Sequence, residues 1–133
     1  MTGAGRGTTV VGVSTVPHCD DVLPADVQTI NLPEVSERLG IPVTRVHDLL
    51  REGVLLAVRR SGVVAVPAVF LDGDEVARFL PGLVSVLRDG GYLDEEILRW
   101  LFPEDDTLPG RPAEALHGHR AREVVRRAQA MGF

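Results

Sequence analysis

The sequence predicts a mainly α-helical protein with one small β-hairpin, and three observations carry that prediction. Apolar residues recur at helical spacing over Leu32–Leu39 and again over Val43–Arg51, with a glycine turn between the two runs. Two β-branched and aliphatic runs, 55–60 and 63–66, flank the dipeptide Ser61-Gly62. Beyond them, from Asp74 onward, helical spacing returns between glycine and proline breaks.

The first helix has a definite start. Asn31 can cap its exposed N–H groups, Pro33 is tolerated in a first turn, and Glu34 stands three residues after the cap. Leu32, Val35 and Leu39 share one face, with Glu34, Glu37 and Arg38 on the other. Gly40 supplies the backbone freedom that ends the helix. The second helix, Val43 to Arg51, turns Val46, Leu49 and Leu50 inward. That leaves Thr44, Arg45, His47, Asp48 and Arg51 outward. Pro42 stands where a Ser or Thr cap is expected, so this helix start is set to within a residue or two. Gly53 stops it.

Ser61-Gly62 forms a two-residue hairpin turn, and Pro67 closes the second strand. Arg59 and Arg60 then stand at the hairpin tip. Two helices across a tight turn followed by such a hairpin are the parts of a winged helix-turn-helix. In that arrangement the second helix enters a DNA major groove. Arg45 is suited to the acceptor edge of guanine, and Thr44 to a phosphate or a thymine methyl. His47 and Arg51 share the outward face, and Arg59 and Arg60 would meet phosphate or the minor groove. The same parts also build protein-binding domains, in which two surface arginines only keep an edge hairpin soluble.

Charge must be read locally. The net charge is −5, which argues against a generic nucleic-acid coat. Residues 31–60 nevertheless hold five Arg against four acids, and residues 113–133 four Arg against two; residues 61–112 hold four Arg against ten acids. Positive charge thus collects on the outward helix face, the hairpin tip and the last helix, with an acidic block between. All basic residues are arginines. Affinity for DNA is expected to be modest and salt-sensitive.

Residues 1–28 show no sustained periodicity and are expected to form a flexible N-terminal arm, followed by the winged domain at 29–70 and a helical C-terminal region at 71–133. In that region Asp74 to Phe79 are expected as a short helix, broken by Pro81-Gly82. Leu83 to Asp89 follow as a second, and Asp94 caps a third over Glu95 to Phe102. Ala113 to Met131 read as helical, with Gly118 a break point.

Other groups carry little chemistry. Phe70, Phe79, Tyr92, Trp100 and Phe102 lie among apolar neighbours and read as core rather than as a base-stacking platform. His117 and His119 are two apart and share no helix face, so with Glu123 they do not suggest a metal site. Asp94, Glu95 and Glu96 suit a helix start, and Asp105-Asp106 a solvated loop. The single Cys19 excludes an internal disulfide. With no nucleophile elbow or phosphate-binding glycine loop, a non-enzymatic protein without metal or cofactor is expected. No apolar run approaches a membrane span and no basic-then-apolar leader is present, so a cytoplasmic location is expected.

The segments LPEVSERLGIPVTRVHDLLREG, AVRRSGVVAVPAVF, LPGLVSVLRDGGY, EILRWLF and ALHGHRAREVVRRAQAM resemble a family of small actinobacterial winged helix-turn-helix DNA-binding proteins. These carry a helical C-terminal region. The resemblance covers nearly all of the chain beyond the arm. It implies double-stranded DNA as partner and a role in transcription regulation. It also implies association with a Ser/Thr protein kinase that phosphorylates the arm, with Thr9 at the matching position and Thr8 beside it. A shorter stretch, RWLFPEDDTLPGRPAEAL, is similar to the tail of antitoxins that bind a toxin through C-terminal helices. It supports the alternative of an adaptor-like protein binder, or of self-association through those helices.

Overall fold

The computed structural model describes residues 16–104, 107, 110–118 and 120–131. Strand β1 (Cys19–Asp20) and strand β2 (Thr29–Asn31) precede helices α1 (Leu32–Leu39) and α2 (Val43–Arg51). Strands β3 (Val58–Arg60) and β4 (Val63–Pro67) follow, and a 3₁₀ turn (Ala68–Phe70) leads into a second small hairpin. Its strands are β5 (Leu71–Asp72) and β6 (Glu75–Val76). Helices α3 (Leu80–Asp89), α4 (Asp94–Leu101), α5 (Pro112–Ala115) and α6 (Ala121–Met131) complete the described chain.

The local signals act as their chemistry requires. Asn31 Oδ1 accepts the Glu34 N–H at 2.9 Å, so the last residue of β2 is also the cap of α1. Gly40 takes φ +67°, and Ile41 N–H reaches back to Ser36 O at 3.1 Å to close the helix end. Pro42 offers α2 no side-chain cap. Ser61 and Gly62 both have positive φ, 52° and 78°, the pairing a tight hairpin with right-handed twist demands.

The winged half is built on a four-stranded sheet rather than on a lone hairpin. Strand order is β1-β3-β4-β2, with β1 parallel to β3 and the other pairs antiparallel. Cys19 lies opposite Val58 and Asp20 opposite Arg59. The expectation of a flexible arm through residue 28 is therefore corrected for the described part. Val16, Leu23 and Val27 are buried, and β1 is an integral edge strand. Residues 1–15 lie outside the described residues.

Two expectations in the C-terminal region also change. Residues 74–79 are not a helix: Asp72 pairs with Glu75 across a turn at Gly73, where φ is +64°. Pro81 does not interrupt a helix but sits in the first turn of α3, where no intrahelical N–H is lost. Cap chemistry differs in α4 as well, because Leu93 precedes the helix and its N–H donates to Glu96 Oε1 at 2.8 Å. The last stretch divides around Gly118 into α5 and α6.

One apolar cluster runs through both halves. Val35, Val46, Leu50, Leu55, Val58 and Val66 continue into Phe70, Leu80, Leu83, Leu87, Ile97, Leu98 and Leu101. Phe70 meets Phe102 with ring centroids 5.8 Å apart. Val124 and Ala128 of α6 seal the far side. Polar ties cross the same seam, including His117 with the Val69 carbonyl and Arg111 with Asp26 at 2.9 Å.

Candidate nucleic-acid interface

Helix α2 is amphipathic in the sense a reading helix needs. Val46, Leu49 and Leu50 are buried, Thr44, Arg45 and Arg51 are exposed, and His47 is partly exposed. Arg45 and Arg51 are held in a small ion-pair network on that outer face. Arg51 Nη1 lies 3.1 Å from Asp48 Oδ1, and Arg45 Nη1 lies 3.3 Å from Glu52 Oε2 and 4.0 Å from Asp48. All four side chains are about half exposed. Such surface pairs are worth about 0–1 kcal/mol, so phosphate or a base edge can displace them.

The hairpin separates the two arginines that the sequence places together. Successive residues on a strand point to opposite faces. Val58 is buried, so Arg60 shares its inner side and Arg59 projects to solvent. The Arg59 side chain has neither a hydrogen bond nor an ion pair among the described residues. Arg60, by contrast, donates Nε to Asp21 Oδ2 at 2.7 Å and Nη2 to Asp21 Oδ1 at 3.1 Å. Its Nη1 reaches Val27 O at 2.6 Å, and Nη2 also reaches Pro24 O at 3.1 Å and Leu23 O at 3.5 Å. The Arg60 guanidinium holds the Asp21 carboxyl below its ordinary range, and Asp21 raises Arg60 in return.

Sequence reasoning passed over two side chains on this face. Val43, at the start of α2, is 37% exposed, and Val63, just past the hairpin turn, is 49% exposed. Both are large for open surface, and an exposed valine offers apolar contact to a thymine methyl. Strand alternation does not signal Val63, because it pairs with Arg60 and shares the face of the buried Ala65; its exposure comes from its place one residue past the turn.

Other candidates fall elsewhere. Thr8 and Thr9 lie outside the described residues, as does His119. Cys19 is half-buried between β3 and α4. Burial first, and then the nearby Glu95 and Asp94, push its thiol up to about 11, so it is almost wholly protonated near neutral pH.

Two family models match this chain. One is described as "DNA-binding protein Rv2175c, wHTH domain" and covers residues 15–71; the other, "Rv2175c C-terminal domain of unknown function", covers 77–132. A curated relative, "DNA-binding protein Rv2175c" of Mycobacterium tuberculosis (strain ATCC 25618 / H37Rv), is 49% identical over the full length of both chains. The chain belongs to the Rv2175c family. A solved structure, "NMR structure of Rv2175c", superimposes with a TM-score of 0.80 at 50% identity, over 90% of this chain and 91% of that one. The winged helix-turn-helix architecture thus holds for the Rv2175c family member described here, with α1 and α2 as its two helices and β3–β4 as its wing.

Proposed function

We propose that this protein binds double-stranded DNA, with α2 in the major groove and the wing against the flanking backbone, and that it regulates transcription. The observation that carries this reading is the outer face of α2. Thr44, Arg45, His47 and Arg51 take no part in the core, and the weak ion pairs on that face are easily exchanged for nucleic acid. Full-length similarity to a protein named as DNA-binding supports it. Arg45, nearest the helix start, reads a base edge; Arg51 and Arg59 meet phosphates, and Thr44 and His47 fill the contact around them.

Two phosphate contacts, from Arg51 and Arg59, imply a salt slope of about −1.8, taking about −0.9 per phosphate neutralised. Titration of duplex DNA at several salt concentrations tests this. A wild-type protein that shifts no duplex even at low salt overturns the proposal. Arg45→Ala should cost about 1–3 kcal/mol on the preferred sequence and much less on others, whereas Arg59→Gln should weaken all sequences alike.

The family resemblance supports a second layer, in which a Ser/Thr kinase phosphorylates Thr9. A phosphate adds a charge of about −1.5 to −2 and repels the duplex backbone. Kinase-treated protein should bind DNA more weakly than untreated protein, and Thr9→Ala should abolish the difference. Equal binding before and after stoichiometric modification refutes it.

A further inference from the structure

The five acceptors of Arg60 belong to one loop, residues 21–27, which connects β1 to β2. That loop is itself anchored. Leu23 and Val27 are buried in the core, and Asp26 is bonded to Arg111, the residue before α5. Strand β3 is only three residues long, and Arg60 is its last residue, one place before the turn. A short two-stranded ribbon is marginal by itself, so the wing depends on what holds its edge. Here that is β1, paired in parallel beside it, and the guanidinium clamp at its end.

We propose that Arg60 is a positioning residue: with Asp21 it braces the wing on the 21–27 loop, so that Arg59 is presented to the duplex while Arg60 itself touches no DNA. The inference rests on the DNA-binding reading above. Geometry favours a brace over a contact. Three of the five acceptors are backbone carbonyls, and the Arg60 side chain is 20% exposed, against about half for Arg45 and Arg51. A planar fork suits simultaneous carboxylate and carbonyl bonding, which a lysine head cannot reproduce.

The two roles predict opposite signs for Asp21→Asn. Were Arg60 a phosphate contact, Asp21 would compete with the duplex, and removing its charge would tighten binding. As a brace, the pair loses hold of the wing, and binding weakens. The experiment measures duplex affinity and its salt slope for wild type, Asp21→Asn, Arg60→Gln, Arg60→Lys and Arg59→Gln, together with amide exchange of the DNA-free proteins. The expected result is roughly three- to tenfold weaker binding for Asp21→Asn and both Arg60 variants, with the wild-type slope retained. The Arg59→Gln slope should flatten by about 0.9. Exchange at Arg60 and Val63, the last pair of the β3–β4 ladder, should quicken in the Arg60 and Asp21 variants at least tenfold beyond any change at Leu83 and Val124.

Tighter binding by Asp21→Asn, or a slope for the Arg60 variants flattened as much as for Arg59→Gln, overturns the brace. So does unchanged exchange at the wing. If the wild type binds no duplex, the functional reading fails, and the exchange measurements alone still decide whether Arg60 holds the wing. Asp21→Asn leaves the carbonyl bonds in place, so the question survives even if Arg60→Gln does not fold.

Discussion

Asp48 occupies the middle of the outer face of α2, within reach of both Arg45 and Arg51. Its carboxylate holds those arginines in place while opposing an incoming phosphate. Since the exposed pairs are worth at most about 1 kcal/mol, the repulsion should dominate. Asp48→Asn is expected to bind duplex DNA about threefold more tightly at low salt, with the gain shrinking as salt rises; weaker binding in a fluorescence titration would refute this. Asp21 gives a pH test. Its carboxyl is held below the ordinary value of 3.8, chiefly by Arg60, so its contribution to stability is present above that value. It is lost as pH falls below 3.8 toward the folded-state value. The difference in Tm between wild type and Asp21→Asn should therefore be constant above about pH 5 and shrink steadily below pH 4. A gap that widens on acidification would contradict the assignment.

The short elements owe their ends to single residues. Asn31→Ala removes the bond to Glu34 N–H and should destabilise by about 1 kcal/mol. Gly40→Ala should cost about the same, because φ is +67° and no neighbour crowds the site, leaving backbone strain alone. Urea denaturation at constant m-value checks both, and a neutral Gly40→Ala would show that the helix end relaxes. These same residues explain why α1, α2 and the Ser61-Gly62 turn are legible in the sequence: cap, left-handed glycine and positive-φ pair all act within a few positions. What was not legible depends on distance along the chain. β1 is two residues without periodicity, and only its pairing with Val58 and Arg59 makes it a strand. The β5–β6 hairpin replaces an expected helix because Gly73 turns the chain and Leu71 pairs with Val76. The fate of Arg60 was half visible: alternation puts it opposite Arg59, but its partner Asp21 is 39 positions away.

The two halves share one interior, and they should therefore melt together. Trp100 is the only tryptophan and lies in α4, so its fluorescence reports the C-terminal half. Circular dichroism reports both halves. Coincident midpoints are expected for the two signals, and also for the exchange of wing amides near the global limit. Two separated transitions would show that the halves are independent. Phe70 decides the matter structurally: it ends the 3₁₀ turn of the winged half, is fully buried, and rests on Phe102 beyond α4. Cutting the chain after residue 71 would strand that ring in water along with Leu71. In consequence the reading head is not a cassette that recombination can graft onto a foreign effector. A productive chimera must inherit the helices that follow, and so lineages that reshuffle modules should carry this unit only whole.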